Sequence, residues 1–188
     1  MEGYFMINKL LVAVSVLSVF LFVGCSQKPK FSDSLDTVSP WNAFMGPKSK
    51  MVISEDKTSP AEGAASLKLD FQNADWAGIG RELADKPAWN KKYALTFKVK
   101  GDGTSHNLAV EITDNGGERF SKIVNISSKD WETITIPISY FLRRKDWQPD
   151  KAPDDGLTLT HVEGLSFSVG EKEKGFLSID DIKLVKNK

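Results

Sequence analysis

The sequence has little of what most catalytic chemistry needs. It holds one cysteine, Cys25, in 188 residues. The chain therefore cannot close a disulfide on itself or build a thiolate zinc cluster. Its two histidines, His106 and His161, are too few for a multi-histidine metal site, and neither has the setting of a nucleophilic triad. No Gly-x-Ser-x-Gly elbow, His-Glu-x-x-His pair or phosphate-binding glycine loop occurs. Among 25 acidic residues, carboxylate pairs at glycosidase spacing arise by chance, and no motif selects one. These absences point to a protein that is not an enzyme. Net charge is also missing: 25 basic residues balance 25 acidic ones. Without a cationic field, nucleic acid is excluded as a partner.

Long apolar runs are absent too. Leu10 to Val23, preceded by Lys9, is 14 positions of apolar residues and Ser, short of the roughly 20 needed to span a bilayer. It suits the hydrophobic region of a secretory signal. The run ends in Leu21-Phe22-Val23-Gly24-Cys25, which resembles the lipobox of bacterial lipoproteins. The resemblance implies cleavage after Gly24 and acylation of Cys25, with several chains giving a stable membrane anchor. Residues 1–24 then form the signal, and residues 25–30 the lipidated cysteine and a polar tether. Ser26 after the cysteine favours the outer membrane of a bacterial envelope.

The remaining chain, 31–188, shows no long helical pattern. Two-residue alternation recurs instead: Leu67, Leu69, Phe71; Tyr93, Leu95, Phe97, Val99; Leu108, Val110, Ile112; Ile134, Ile136, Ile138; Leu165, Phe167, Val169. The last strand begins Leu177, Ile179 and resumes at Ile182, Leu184. That change of phase predicts a bulge or a change of sheet. Gly101-Asp102-Gly103, Asn115-Gly116-Gly117 and Glu173-Lys174-Gly175 favour tight reversals, and Asn115-Gly116 is the strongest hairpin signal. Strands with one apolar face must pack sheet on sheet. The expectation is an all-β antiparallel sandwich, a jelly roll of eight to ten strands. Arg143 to Trp147 reads as a helical turn or a long loop.

Five segments in order resemble galactose-binding-like β-sandwich domains: Glu62 to Leu69, Leu95 to Gly103, Trp131 to Pro137 followed by Phe141, Val162 to Phe167, and Leu177 to Ile182. The nearest groups are carbohydrate-binding module family 11 and the complex I intermediate-associated domain. The resemblance covers about residues 50 to 186 and implies a non-catalytic module that binds polysaccharide, of which β-glucan is one class. The complex I relatives imply instead a protein partner in the envelope. Many members hold one structural calcium, and the acidic residues at matching places here are Asp33 and Asp181. The other reading of Asp180-Asp181 is a polar bulge capped by backbone donors.

Sugars present apolar C–H faces to aromatic rings, and polar neighbours meet their hydroxyls. Five tryptophans give candidates. Trp76 opens a strand with Gly78 and Gly80, where a ligand or a backbone can approach closely, and Arg81 follows. Trp147 lies in a polar loop beside Arg143 and Arg144. Glu111 and Thr113 sit opposite Leu108, Val110 and Ile112, either lining a concave face or merely solvated. Arg119 follows the Asn115-Gly116 turn with the same ambiguity. Of Tyr140 and Phe141, one packs inward and one outward. Trp131 is expected to pack at a sandwich edge, Trp89 and Trp41 to cover the core, His106 to face solvent and His161 to be structural. The candidate carbohydrate-binding set is thus Trp76, Arg81, Glu111, Arg119, Tyr140 and Trp147.

Overall fold

Each alternating segment offers one apolar face, and the chain buries these faces by laying two six-stranded antiparallel sheets against each other. A computed structural model describes residues 31–187; the signal segment, Cys25 and the tether lie outside the described residues. The strands are β1 (Phe31–Asp33), β2 (Asn42–Met45), β3 (Lys50–Asp56), β4 (Ser66–Gln72), β5 (Ala77–Glu82), β6 (Tyr93–Gly101), β7 (His106–Thr113), β8 (Arg119–Ile126), β9 (Glu132–Pro137), β10 (Leu142–Arg143), β11 (Gly164–Val169) and β12 (Lys174–Lys186). The first sheet runs β3-β4-β12-β6-β9, with β1 also on β12; the second runs β10-β8-β7-β11-β5-β2. Among the described residues the sole helical element is a 3-10 turn at Ile138–Tyr140, so the jelly-roll expectation holds. The strand count exceeds the eight to ten expected. The extra strands β1, β2 and β10 have two to four residues each, too few for alternation to register.

The core follows the alternation. Leu67 and Leu69 of β4, Leu95, Phe97 and Val99 of β6, and Leu177 and Ile179 of β12 meet Leu108, Val110 and Ile112 of β7 and Leu165 and Phe167 of β11, all buried. Phe97 and Phe167 join the sheets edge to face, with centroids 5.2 Å apart. Trp41 and Trp89 are buried as expected, Trp41 against Phe167 and Trp89 against Phe31. Phe141 packs inward and Tyr140 outward.

The phase change in β12 is a bulge within one sheet. Its pairing with β6 slips between Asp180 and Lys183, and Asp181 takes φ 51°. β4 pairs with β12 up to Ile179, and β1 takes over from Ile182. The buried Asp180 caps backbone donors: its Oδ2 accepts N–H bonds from Ala61 (2.8 Å) and Glu62 (3.0 Å).

Asn115-Gly116-Gly117 makes the β7–β8 hairpin, with Gly116 and Gly117 at φ 126° and 85°. The other two reversals are not hairpins. Gly101-Asp102-Gly103 leads from β6 to β7 and Glu173-Lys174-Gly175 from β11 to β12, each crossing between sheets. The two crossings meet on His106. Its Nδ1 lies 2.6 Å from Glu173 Oε2 and its Nε2 3.2 Å from Asp102 Oδ1, and its ring stands edge-on to Phe71 at 5.0 Å. His106 is therefore buried rather than solvent-facing. It shares the inward parity of Leu108, and the paired carboxylates make that position tolerable. His161 is exposed, in the loop before β11.

Burial raises the pKa of Asp102, but the Thr104 hydroxyl and amide and the His106 ring outweigh it and bring the carboxyl down to about 2. The folded value lies below the unfolded value of about 3.9. Ionised Asp102 therefore stabilises the fold above about pH 4, and that contribution is lost as pH falls through about 2. Thermal melts of Asp102→Asn should start lower at pH 5 than those of the parent protein and lose less between pH 4 and pH 2. Parallel losses in the two proteins would refute this linkage.

Candidate functional site: a groove across the second sheet

On the outer face of the second sheet, register sets small side chains in rows. One row runs Phe44, Gly78, Ser168, Ala109, Ile123 and the next Asn42, Gly80, Ser166, Glu111, Ser121, by direct cross-strand pairing. Glycine, serine and alanine leave a low floor, and the loops at either side rise above it. The result is a groove of about 1240 Å³.

One end is aromatic. The Phe44 ring lies over Gly78 and Gly80: a Cβ on either would come within 2.9 Å and 3.1 Å of it. Trp76, about half exposed, sits with its ring centroid 6.0 Å from that of Phe44. These strand glycines do admit a close neighbour, and the neighbour is Phe44. Phe44 escaped the sequence reading because it lies on a four-residue strand; the Gly78-x-Gly80 pattern was its only trace.

The other end is built on charge. Glu111 is 7% exposed, so it is held rather than solvated. Its Oε1 accepts from Arg119 Nη1 (3.2 Å) and Ser166 Oγ (3.4 Å), and its Oε2 from Arg144 Nη1 (2.7 Å). Arg144 also grips Asp146. The Asp146 bond, despite burial, holds the Arg144 pKa above its ordinary value, and the guanidinium holds Asp146 below its own. Both guanidinium carbons lie 5.9 Å from the Trp147 ring centroid. Gln148 completes the frame: its Oε1 accepts from the Arg119 N–H, and its Nε2 donates to the Arg119 and Arg144 carbonyls. The segment from Arg144 to Gln148 is thus a loop, not a helical turn, stapled to β8 with an indole 52% exposed.

Four predicted site residues, Trp76, Glu111, Arg119 and Trp147, therefore line one groove. Arg144 and Asp146 join them; in sequence the run Arg143-Arg144-Lys145 reads either as a contact for an anionic polymer or lipid headgroups or, more commonly, as solvated surface. Arg81 edges the groove, but its guanidinium is spent elsewhere: it pairs with Asp33 and lies 6.0 Å from the Trp41 ring centroid. Tyr140 is exposed on the 3-10 turn and is not among the groove residues. Trp131 sits outside it, donating Nε1–H to the Ser59 carbonyl at 3.1 Å beneath the Lys100 ammonium.

Asp33 and Asp181 do not fit the calcium ion that the resemblance implies. Asp33 accepts from the Leu35 amide (3.0 Å), Trp41 Nε1 (3.1 Å) and Arg81, tying β1 of one sheet to β5 of the other. Asp181 pairs with Lys183. Each carboxylate already has a cation of its own.

A jelly roll whose outer face carries a groove with aromatic ends and a hydrogen-bonded polar middle is built as a carbohydrate-binding module. The family model described as "Carbohydrate binding domain (family 11)" matches residues 26–187, and the chain belongs to that family. It is 28% identical over 144 residues to a mannan endo-1,4-beta-mannosidase of Bifidobacterium adolescentis, covering 73% of this chain and 14% of the relative. It is 27% identical over 164 residues to endoglucanase H of Acetivibrio thermocellus, covering 83% and 18%. The chain thus spans less than a fifth of the length of these two curated relatives. Among solved structures it is similar to the family 11 module from Clostridium thermocellum in complex with a β-1,3-1,4-mixed-linked tetrasaccharide, at 22% identity and TM-score 0.73 over 82% of this chain and 94% of that one. The family 30 module of the cellulosomal cellulase Cel9D-Cel44B of C. thermocellum follows at 17% and 0.60, over 83% and 98%. These likenesses show the fold.

A Cβ at Gly78 would also sit 2.5 Å from the Phe167 carbonyl oxygen. Gly78→Ala should therefore cost about 1–3 kcal/mol of stability, as overpacking does, read by urea denaturation. An unchanged midpoint would mean that the strand yields freely and that the floor is not fixed by contact.

Proposed function

We propose that the protein is a non-catalytic envelope lipoprotein that holds polysaccharide in the groove of its second sheet. The observation that carries this reading is the pair of half-exposed aromatic ends, Phe44 with Trp76 and Trp147 with its two arginines, separated by a floor of small polar residues. Flat rings offer platforms for the apolar faces of pyranoses, and Glu111, Arg144 and Asp146 offer partners for hydroxyls. The groove arginines are matched by carboxylates, which favours a neutral chain over an anionic one. A β-glucan, with flat ring faces along the polymer, is the class we favour. Through Cys25 the module is anchored in the membrane, in our reading the outer one. Many anchored copies turn weak single-site affinity into avidity for a polymer.

Affinity gels test the groove. Mixed-linkage β-glucan should retard the protein and pectin should not. Trp147→Ala and Trp76→Ala should each weaken retention about tenfold, the equivalent of about 1.4 kcal/mol, with melting temperature unchanged because both rings are half exposed. A folded protein that no neutral polymer retards would overturn the reading and turn attention to an envelope protein partner by pull-down. The anchor has its own test: Cys25→Ser should lose palmitate label and shift from the membrane to the soluble fraction. Membrane retention without the cysteine would sink the lipoprotein assignment.

A further inference from the structure

The lysines of this neutral chain are unevenly placed. Three segments, 26–32, 83–92 and 182–188, hold eight of them and a single acid, Asp85. The remainder of the chain is therefore net acidic. The fold gathers one end of the sandwich from these segments. Phe31, the first residue of β1, pairs with Leu184 of β12, and two positions on Lys186 pairs with Tyr93, the first residue of β6. The Asn187 N–H donates to the Lys92 carbonyl at 2.9 Å. Lys91, Lys92 and Lys186 are exposed, and among the described residues none of the three is ion-paired. Lys86 and Lys183 differ, being tied to Glu163 and Asp181. The bordering acids do little to offset the three: Asp33 is matched by Arg81, which leaves the exposed Glu82 and Asp85. Unpaired like charges set together repel and contribute nothing to the fold. The tether joins the sandwich at this same end. It adds Lys28 and Lys30 and, at six residues, reaches about 20 Å when fully extended.

A cationic end on so short a leash to a bilayer is complementary to anionic headgroups. We propose that the end carrying Lys91, Lys92 and Lys186 docks on an anionic lipid surface, with Lys28 and Lys30 beside the anchor. The inference rests on the lipoprotein reading of Cys25. Each lysine within a Debye length of such a surface, about 10 Å at 0.1 M salt, strengthens association roughly fivefold. The acidic remainder is repelled, so the charge asymmetry holds one end down. The strands then stand away from the bilayer, and the groove that crosses them lies along its surface. A chain in the groove runs parallel to the membrane.

Vesicle flotation tests this with residues 26–188, which hold every described strand of both sheets and which the family model matches almost end to end as one unit. This chain carries no acyl group, so its outcome is separate from that of the Cys25 palmitate label, which judges the anchor. It should float with phosphatidylglycerol vesicles at low salt, be released as salt rises, and stay behind with phosphatidylcholine vesicles. Reversing Lys91, Lys92 and Lys186 to Glu together should weaken flotation about a hundredfold, three steps of roughly fivefold. The same reversal of Lys50, Lys129 and Lys174, exposed lysines at the opposite end of the sandwich, changes the net charge equally and should retain most of the binding. Melting curves confirm that both variants are folded; if the first is not, Lys91→Glu alone should still cost about fivefold. No flotation with phosphatidylglycerol, equal flotation with phosphatidylcholine, or equal loss in the two triple variants would each overturn the proposal.

Discussion

The structure depends on the contact between the inner faces of two sheets. Period-two alternation supplies those faces, and Phe97 against Phe167 marks where they lock. Once Leu108, Val110 and Ile112 point inward, the outward direction of Ala109 and Glu111 is fixed. The same holds for Ser166 and Ser168 beside Leu165 and Phe167. The groove is thus the reverse side of the core, and its floor is placed by packing that never touches it.

That relation explains how much was legible. The strands with three or more inward apolar residues were readable, as was the bulge in β12, because a break in alternation is itself a signal. Short strands were not readable, and Phe44 was lost with β2. Glu111 stood open between two readings because a carboxylate on an outward face looks the same whether it is solvated or clasped by two arginines. What clasps it comes from Arg119 in one strand and Arg144 in a loop 25 positions on, and sequence does not show that distance closing. His106 was misplaced although its parity matched Leu108. Polarity outweighed periodicity there, and the two carboxylates that make its burial acceptable come from separate crossings.

Charge does two kinds of work in this neutral chain. Some pairs join layers: Asp33 with Arg81 links β1 to β5 across the sandwich. Others build surface: Glu111, Arg119, Arg144 and Asp146 form a connected frame that keeps Trp147 upright on a loop with no regular structure. A network of this kind is worth more than isolated surface pairs, because Glu111 and Arg144 at its centre are each held by two partners. A net charge of zero therefore conceals a local order that composition does not report.

The rows of the second sheet also act as a ruler. The groove crosses β2, β5, β11, β7 and β8 at right angles to the chain direction, so its pitch is the spacing of hydrogen-bonded strands. Four such steps of about 4.8 Å span about 19 Å. This length belongs to the backbone and cannot be altered by changing side chains. Substitution can raise or lower the floor at one step, but the number of steps is fixed by the topology, so any polymer lying in the groove is measured in units of strands.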